Sequence, residues 1–285
     1  MIAERTGKAI RTPPRDVLLS HAASQVGRGF GFGLHEAMDQ TGAVMGPLAV
    51  AAMLYFQQGY HGGFAILIVP AAVGLGVLLV GQRIYPNPRD FEVETLTFAG
   101  EGLPRRFWIY LGAVALIAAG YADFPLIAFH FQKEAITQAN TIPLFYALAM
   151  GVSAIAALVF GRLFDRYGIS VLMIAALLSS LFAPLVFLGN SGLALLGMAL
   201  WGIGMGAQES VLKAAVAGMV PIDRRASAYG IFATGYGLSW FLGSACMGVL
   251  YDRLINVLVI FSVIIQLAAI PVLLVVNRRT QFLNH

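Results

Sequence analysis

Residues 254–277 read LINVLVIFSVIIQLAAIPVLLVVN, a stretch without one Asp, Glu, Lys or Arg. A helix rises 1.5 Å per residue, so about 20 such residues cross the hydrocarbon of a bilayer. The apolar residues run on continuously instead of alternating, which argues for a helix and against a barrel strand of about ten residues. Working outward, seven more stretches qualify or nearly so: 29–56, 63–84, 107–131, 142–161, 169–189, 192–212 and 227–250. Over the whole 285 residues 59% are apolar and 11% charged, with a mean hydropathy of +0.79. A water-soluble domain carries roughly 25% charged residues, so polar material is too scarce here to clothe a surface in water. The single Cys excludes a disulfide framework and a cysteine metal site. The chain reads as an all-α polytopic membrane protein.

Short polar breaks separate the spans, at 57–63, 189–192 and 223–225. The longest non-apolar piece, 86–104, is read as a linker between an N-terminal part, 1–85, and a C-terminal part, 105–285. Residues 4–16 carry too much charge for an ordinary span, and they lack the apolar core and cleavage site of a signal peptide. When the breaks are assigned to alternating sides from the linker outward, all but Lys133 and Arg253 of the 18 Lys and Arg fall at or near one face. Cytoplasmic loops carry the excess of basic residues. The linker and the C-terminus are therefore expected inside a bacterial inner membrane, with six helices between them. That distribution accounts for the net charge of +4 better than a nucleic-acid partner does, and none is expected.

Laid on itself at an offset of 197, the pre-linker part meets residues 198–281 without a gap. Gly7 meets Gly204, Arg28 meets Arg225, Gly33 meets Gly230, Gly46 meets Gly243 and Phe64 meets Phe261. Parallel repeats of this kind are a transporter architecture. The same offset predicts three further helices before Met1, so the chain reads as N-terminally shortened, its first helix incomplete.

Gly161-Arg162-Leu163-Phe164-Asp165-Arg166-Tyr167-Gly168 forms a turn between two spans. Gly161 permits close helix approach, Asp165 is expected to accept from free N–H groups of the next helix, and Arg166 adds a charge. This motif resembles the loop between helices two and three, or eight and nine, of the major facilitator superfamily (MFS), whose members have twelve helices in two halves of six. Residues 7–16 resemble the end of the fourth helix in a bacterial branch of that family. Gly42-Ala43-Val44-Met45-Gly46-Pro47 resembles the fifth-helix GxxxGP motif of proton-driven exporters, and its spacing also suits plain helix packing. The resemblance covers the chain as helices four to twelve. It implies an MFS-type helical bundle of about nine transmembrane helices, an incomplete N-terminal half plus a complete C-terminal one, with the 161–168 loop (Gly161, Asp165, Arg166, Gly168) latching one of two access states.

An ionisable group inside a span costs at least a few kcal/mol and is a functional candidate for that reason. His35, Glu36 and Asp39 share one region of a helix, either as a proton-carrying carboxylate cluster or as structural partners of Arg11 or Arg15. Asp123 lies deep in the span that starts near Phe107, beside Pro125, which deprives the Tyr121 carbonyl of its N–H and breaks the helix. It either lines a cavity or reaches outer water. Glu209 and Lys213 stand at i,i+4, as an intrahelical pair or part of a gate. Arg11 and Arg15 are interfacial, or Arg11 is an anion partner inside a cavity. Tyr121, Tyr229, Tyr236 and Trp240 line a cavity or pack.

Three function classes follow. The first is secondary transport of a small molecule, with protons as partner and efflux as direction. No GxxxxGK[ST] stretch supplies a nucleotide engine, and no cofactor, metal or enzymatic activity is expected. The second is an intramembrane metalloenzyme on His35-Glu36-x-x-Asp39, one residue away from H-E-x-x-H. The third is a non-transporting remnant or scaffold.

Overall fold

A computed structural model describes residues 2–55, 65–84, 102–138 and 141–281, and every regular element among them is helical. The elements are α1 (Ile2–Ala22), α2 (Arg28–Tyr55), α3 (Ile68–Ile84), α4 (Arg105–Ala119), α5 (Phe124–Lys133), α6 (Ile142–Tyr167), α7 (Ser170–Ser180), α8 (Phe182–Phe187), α9 (Ser191–Ala207), α10 (Lys213–Met219), α11 (Arg225–Arg253) and α12 (Ile255–Gln281). Three spans are broken and resumed, so these helices make nine rods among the described residues. Arg105–Lys133, Ile142–Tyr167, Ser170–Phe187, Ser191–Met219 and Ile255–Asn277 are long and apolar enough to cross a membrane by length and hydropathy alone. The linker expected at 86–104 lies outside the described residues except for 102–104, as do the break at 57–63 and the side chain of Pro47.

The offset of 197 recurs in the helix ends. Arg28 and Arg225 are the first residues of α2 and α11, and Ala22 and Met219 are the last of α1 and α10. The charged opening is helical, as the repeat requires. Asp16 is buried at 3% exposure and pairs with Arg15 beside it at 2.8 Å. A hydropathy sum cannot see such internal pairing.

Small residues bring the rods together. A Cβ on Gly29 would strike the Gly161 carbonyl, and one on Gly33 would strike that of Ala157, so α2 lies directly against α6. Gly202 and Gly206 seat α9 on α6 in the same way, and Gly243 seats α11 on α4. A Cβ on Gly42 or Gly46 would meet nothing within 4 Å among the described residues, so neither glycine sits at a close helix approach there.

The break expected at Pro125 is present, between Ala119 and Phe124. Its polar backbone is covered by neighbouring spans, as the hydrocarbon requires. The Gly120 carbonyl accepts from Ser262 Oγ at 2.6 Å and Gln266 Nε2 at 3.0 Å, and the Ala122 carbonyl accepts from Trp201 Nε1 at 2.9 Å. Gln266 Oε1 in turn accepts from Ser179 Oγ at 2.9 Å, which ties α7, α12 and the break together.

Candidate functional site

A cavity of about 490 Å³ lies where α1 and α2 face α5, α6, α9, α10 and α11. α1 brings Thr12, Arg15 and Asp16 to its wall, and α2 brings Glu36, Asp39, Gln40 and Ala43. Phe124, Tyr146, Met150, Trp201 and Met205 form an apolar floor, and α11 adds Phe232, Ala233, Tyr236 and Trp240.

Gln208–Leu212 is a single π turn that interrupts the span between α9 and α10. Such a wide turn redirects side chains and recurs at functional sites. Here it sets Gln208, Glu209 and Leu212 on the cavity wall, next to Lys213. Lys213 Nζ meets Glu209 Oε2 at 2.5 Å. The hydroxyls of Tyr110 and Tyr229 donate to the carbonyls of Leu212 and Lys213 at 2.9 and 3.0 Å, holding the end of the turn.

The expected site residues part company here. Glu36 is buried at 5% exposure, lines the cavity and accepts from Gln40 Nε2 at 2.5 Å. Asp39, an exposed residue, shares that wall, and its carboxylate has no hydrogen-bond or ion-pair partner among the described residues. Neither carboxylate pairs with Arg11 or Arg15: Arg15 is engaged by Asp16, and Arg11 lies off the wall. His35 is half-buried and off the wall, and Arg11 is exposed and off it too. Asp123 stands behind the wall, where its carboxylate accepts from the indole N–H of Trp240. Of the four aromatics, Tyr236 and Trp240 line the cavity, while Tyr121 and Tyr229 are buried in the core. Sequence reasoning missed Asp16, Gln40, Gln208 and Trp201. Gln40, one turn beyond Glu36, was within reach of a helical-spacing argument, whereas Gln208 depends on the π turn.

At one end of the bundle α2 and α6 meet tightly. Asp165 accepts from the backbone N–H of Gly29 at 2.7 Å and of Phe30 at 2.8 Å. The carboxylate thus caps α2, not the next helix as its position in the loop suggested. The close contact of Gly29 with Gly161 delivers the unsatisfied first N–H groups of α2 to it. Gly27, at φ +102°, makes the turn into α2. The Arg162 guanidinium lies 4.2 Å from the Phe30 ring centroid. The repeat-related Arg28 and Arg225 both donate to the Ala217 carbonyl, at 3.2 and 3.0 Å. Among the described residues no three His, Cys, Asp or Glu side chains converge where they could hold a metal ion, His35, Glu36 and Asp39 included.

The profile of a protein family described as Major Facilitator Superfamily matches residues 4–170 and, again, 108–282. The chain is 40% identical over 284 residues to an uncharacterized protein of Mycobacterium tuberculosis, covering 97% of this chain and 69% of that one. It is 29% identical over 262 residues to an uncharacterized MFS-type transporter of Methanocaldococcus jannaschii, covering 87% of this chain and 64% of that one. Among solved structures it is similar to a bacterial homologue of the iron transporter ferroportin in an outward-facing state, with a TM-score of 0.62. That match has 17% identity and covers 88% of this chain and 64% of the other. At that identity the likeness is one of fold.

Proposed function

This chain belongs to the major facilitator superfamily, a family of membrane transporters, and from that premise we propose that it exports a small molecule by alternating access, coupled to protons. The observation that carries the reading is the cavity: about 490 Å³, walled by spans from both sides of the 86–104 linker, with the buried carboxylate of Glu36 inside it. A carboxylate there can take up and give back a proton in turn, and the preference of the cavity for a charged solute changes with each exchange. Residues 1–85 and 105–285 act as two bodies that rock across the linker. The contacts of Asp165 with Gly29 and Phe30 hold one end shut in one of the two states. With the excess of Lys and Arg at that end, we assign it, with the C-terminus, to the cytoplasmic face of the inner membrane.

The test is solute-driven proton movement in proteoliposomes carrying a trapped pH dye, with a panel of cationic, anionic and neutral solutes. The expected result is a proton flux that starts on addition of one class of solute. A panel in which no solute moves, with or without a gradient, contradicts the reading.

A further inference from the structure

We propose that the solute of this cavity is an organic cation with an apolar or aromatic body and a hydrogen-bond acceptor. The inference rests on the transport reading above and adds the charge and chemistry of what is carried. The first observation is the balance of charge on the wall. Arg15 is matched to Asp16 at 2.8 Å and Lys213 to Glu209 at 2.5 Å. Glu36 and Asp39 line the same cavity and have no cationic partner within ion-pair distance among the described residues. An anion entering here meets two uncompensated carboxylates, and a cation relieves them.

The second observation is the aromatic wall. Phe232 and Tyr236 stack with centroids 6.0 Å apart, and Tyr236 meets Trp240 edge-on at 5.3 Å. Across from them Phe124 and Tyr146 stand 4.4 Å apart. The indole N–H of Trp240 is held by Asp123, which fixes the orientation of its ring. Ring faces attract a cation within about 6 Å, most strongly when water is excluded. A bare divalent ion calls for a cage of oxygen ligands, and no three acidic or His side chains converge among the described residues. Rings beside lone carboxylates suit an organic cation instead.

The third observation is Gln208, 4% exposed. Its Oε1 accepts from the Tyr236 hydroxyl at 3.4 Å, which turns its Nε2 into a buried donor without a partner. An unmet buried donor on a cavity wall calls for an acceptor from outside the protein.

The test uses two probes of one shape and opposite charge, tetraphenylphosphonium and tetraphenylborate, added to the 285-residue chain in nanodiscs with empty discs subtracted. Trp201 and Trp240 of the three Trp line the wall, so binding reads out as tryptophan quenching. The phosphonium is expected to quench saturably and the borate not. Asp39→Asn should weaken the phosphonium at least about tenfold, roughly 1.4 kcal/mol, without a change in melting temperature, since Asp39 holds no bond in the fold; Glu36→Gln is the second variant. Equal or tighter binding of the borate, no saturable quenching by the phosphonium, or unchanged affinity in both variants overturns the proposal. For the acceptor, phenacyltrimethylammonium should bind severalfold tighter than its phenethyl analogue, and Gln208→Leu should erase the difference. Equal affinities in the unaltered chain overturn that part. Binding here needs no gradient and transport does, so the two readings fail separately. A chain that binds the phosphonium and moves nothing loses the transport reading, and one that moves only anions or neutral solutes loses the cation.

Discussion

α2 and α11 start at repeat-related arginines and turn the same register towards one cavity, yet they bring opposite chemistry to it. Where α2 has Glu36, Asp39 and Ala43, α11 has Ala233, Tyr236 and Trp240, and all six line the wall. The backbone register is common to both helices, and the side chains divide the work between charge and rings. Their glycines diverge too. Gly243 is pressed against Ala119, so that any Cβ would meet its backbone, while its repeat mate Gly46 has nothing within 4 Å among the described residues. A repeat therefore preserves where a helix presents its wall more strictly than what the wall is made of.

The sharpest way to break this comparison is Glu36→Gln. If charge resides on α2, solute-driven proton flux in proteoliposomes falls to background, and flux that persists in both this variant and Asp39→Asn removes these carboxylates as proton carriers. Next come the paired glycines. Gly243→Ala forces a methyl group into the backbone of α4 and is expected to cost about 1–3 kcal/mol, seen as a lower melting temperature in detergent. Gly46→Ala should stay within about 0.5 kcal/mol, and equal losses would contradict the asymmetry. A smaller effect is expected from Trp240→Phe, which keeps a ring but strips Asp123 of its donor. Phosphonium affinity should fall by about two- to fivefold, in line with about 0.5–1 kcal/mol for a weakened cation–ring contact. Smallest of all is Tyr236→Phe, which loses only a 3.4 Å hydrogen bond to Gln208 and should change phosphonium affinity less than twofold, by the net worth of a long bond. If it outweighs Trp240→Phe, the hydroxyl and not the ring is what the solute meets.

Most of the rods were legible in the sequence because hydrocarbon leaves so few options: a continuous apolar run of that length crosses as a helix. The break before α5 was legible for an equally local reason, since Pro125 lacks the N–H that a continuous helix needs. α1 reads as too charged for an ordinary span and is not among the helices that qualify by length and hydropathy, whereas the burial of Asp16 against Arg15 was not legible, because nothing local in the sequence says which side of α1 the bundle covers. The π turn at Gln208–Leu212 was invisible, as no residue type demands it and its hydroxyl supports come from other helices, Tyr110 about a hundred residues earlier and Tyr229 on α11. The capping role of Asp165 was legible, but its partner was not, because Gly29 and Phe30 lie more than a hundred residues earlier and arrive only through helix packing. Glu36, Asp39 and Glu209 stood out as ionisable groups within spans, whereas the aromatic half of the wall required the fold to tell ring-on-wall from ring-in-core.

The central claim is that the α2 carboxylates face a solute path that opens to either side of the membrane in turn. The most direct measurement places a thiol one turn from Asp39 on the same wall, by Ala43→Cys in a Cys246→Ser background, which keeps both carboxylates and removes the single native cysteine, which is exposed. Right-side-out and inverted vesicles are then treated with a membrane-impermeant maleimide. The account predicts reaction from both faces, slowed from both by tetraphenylphosphonium. Reaction from one face only, or from neither, would contradict it.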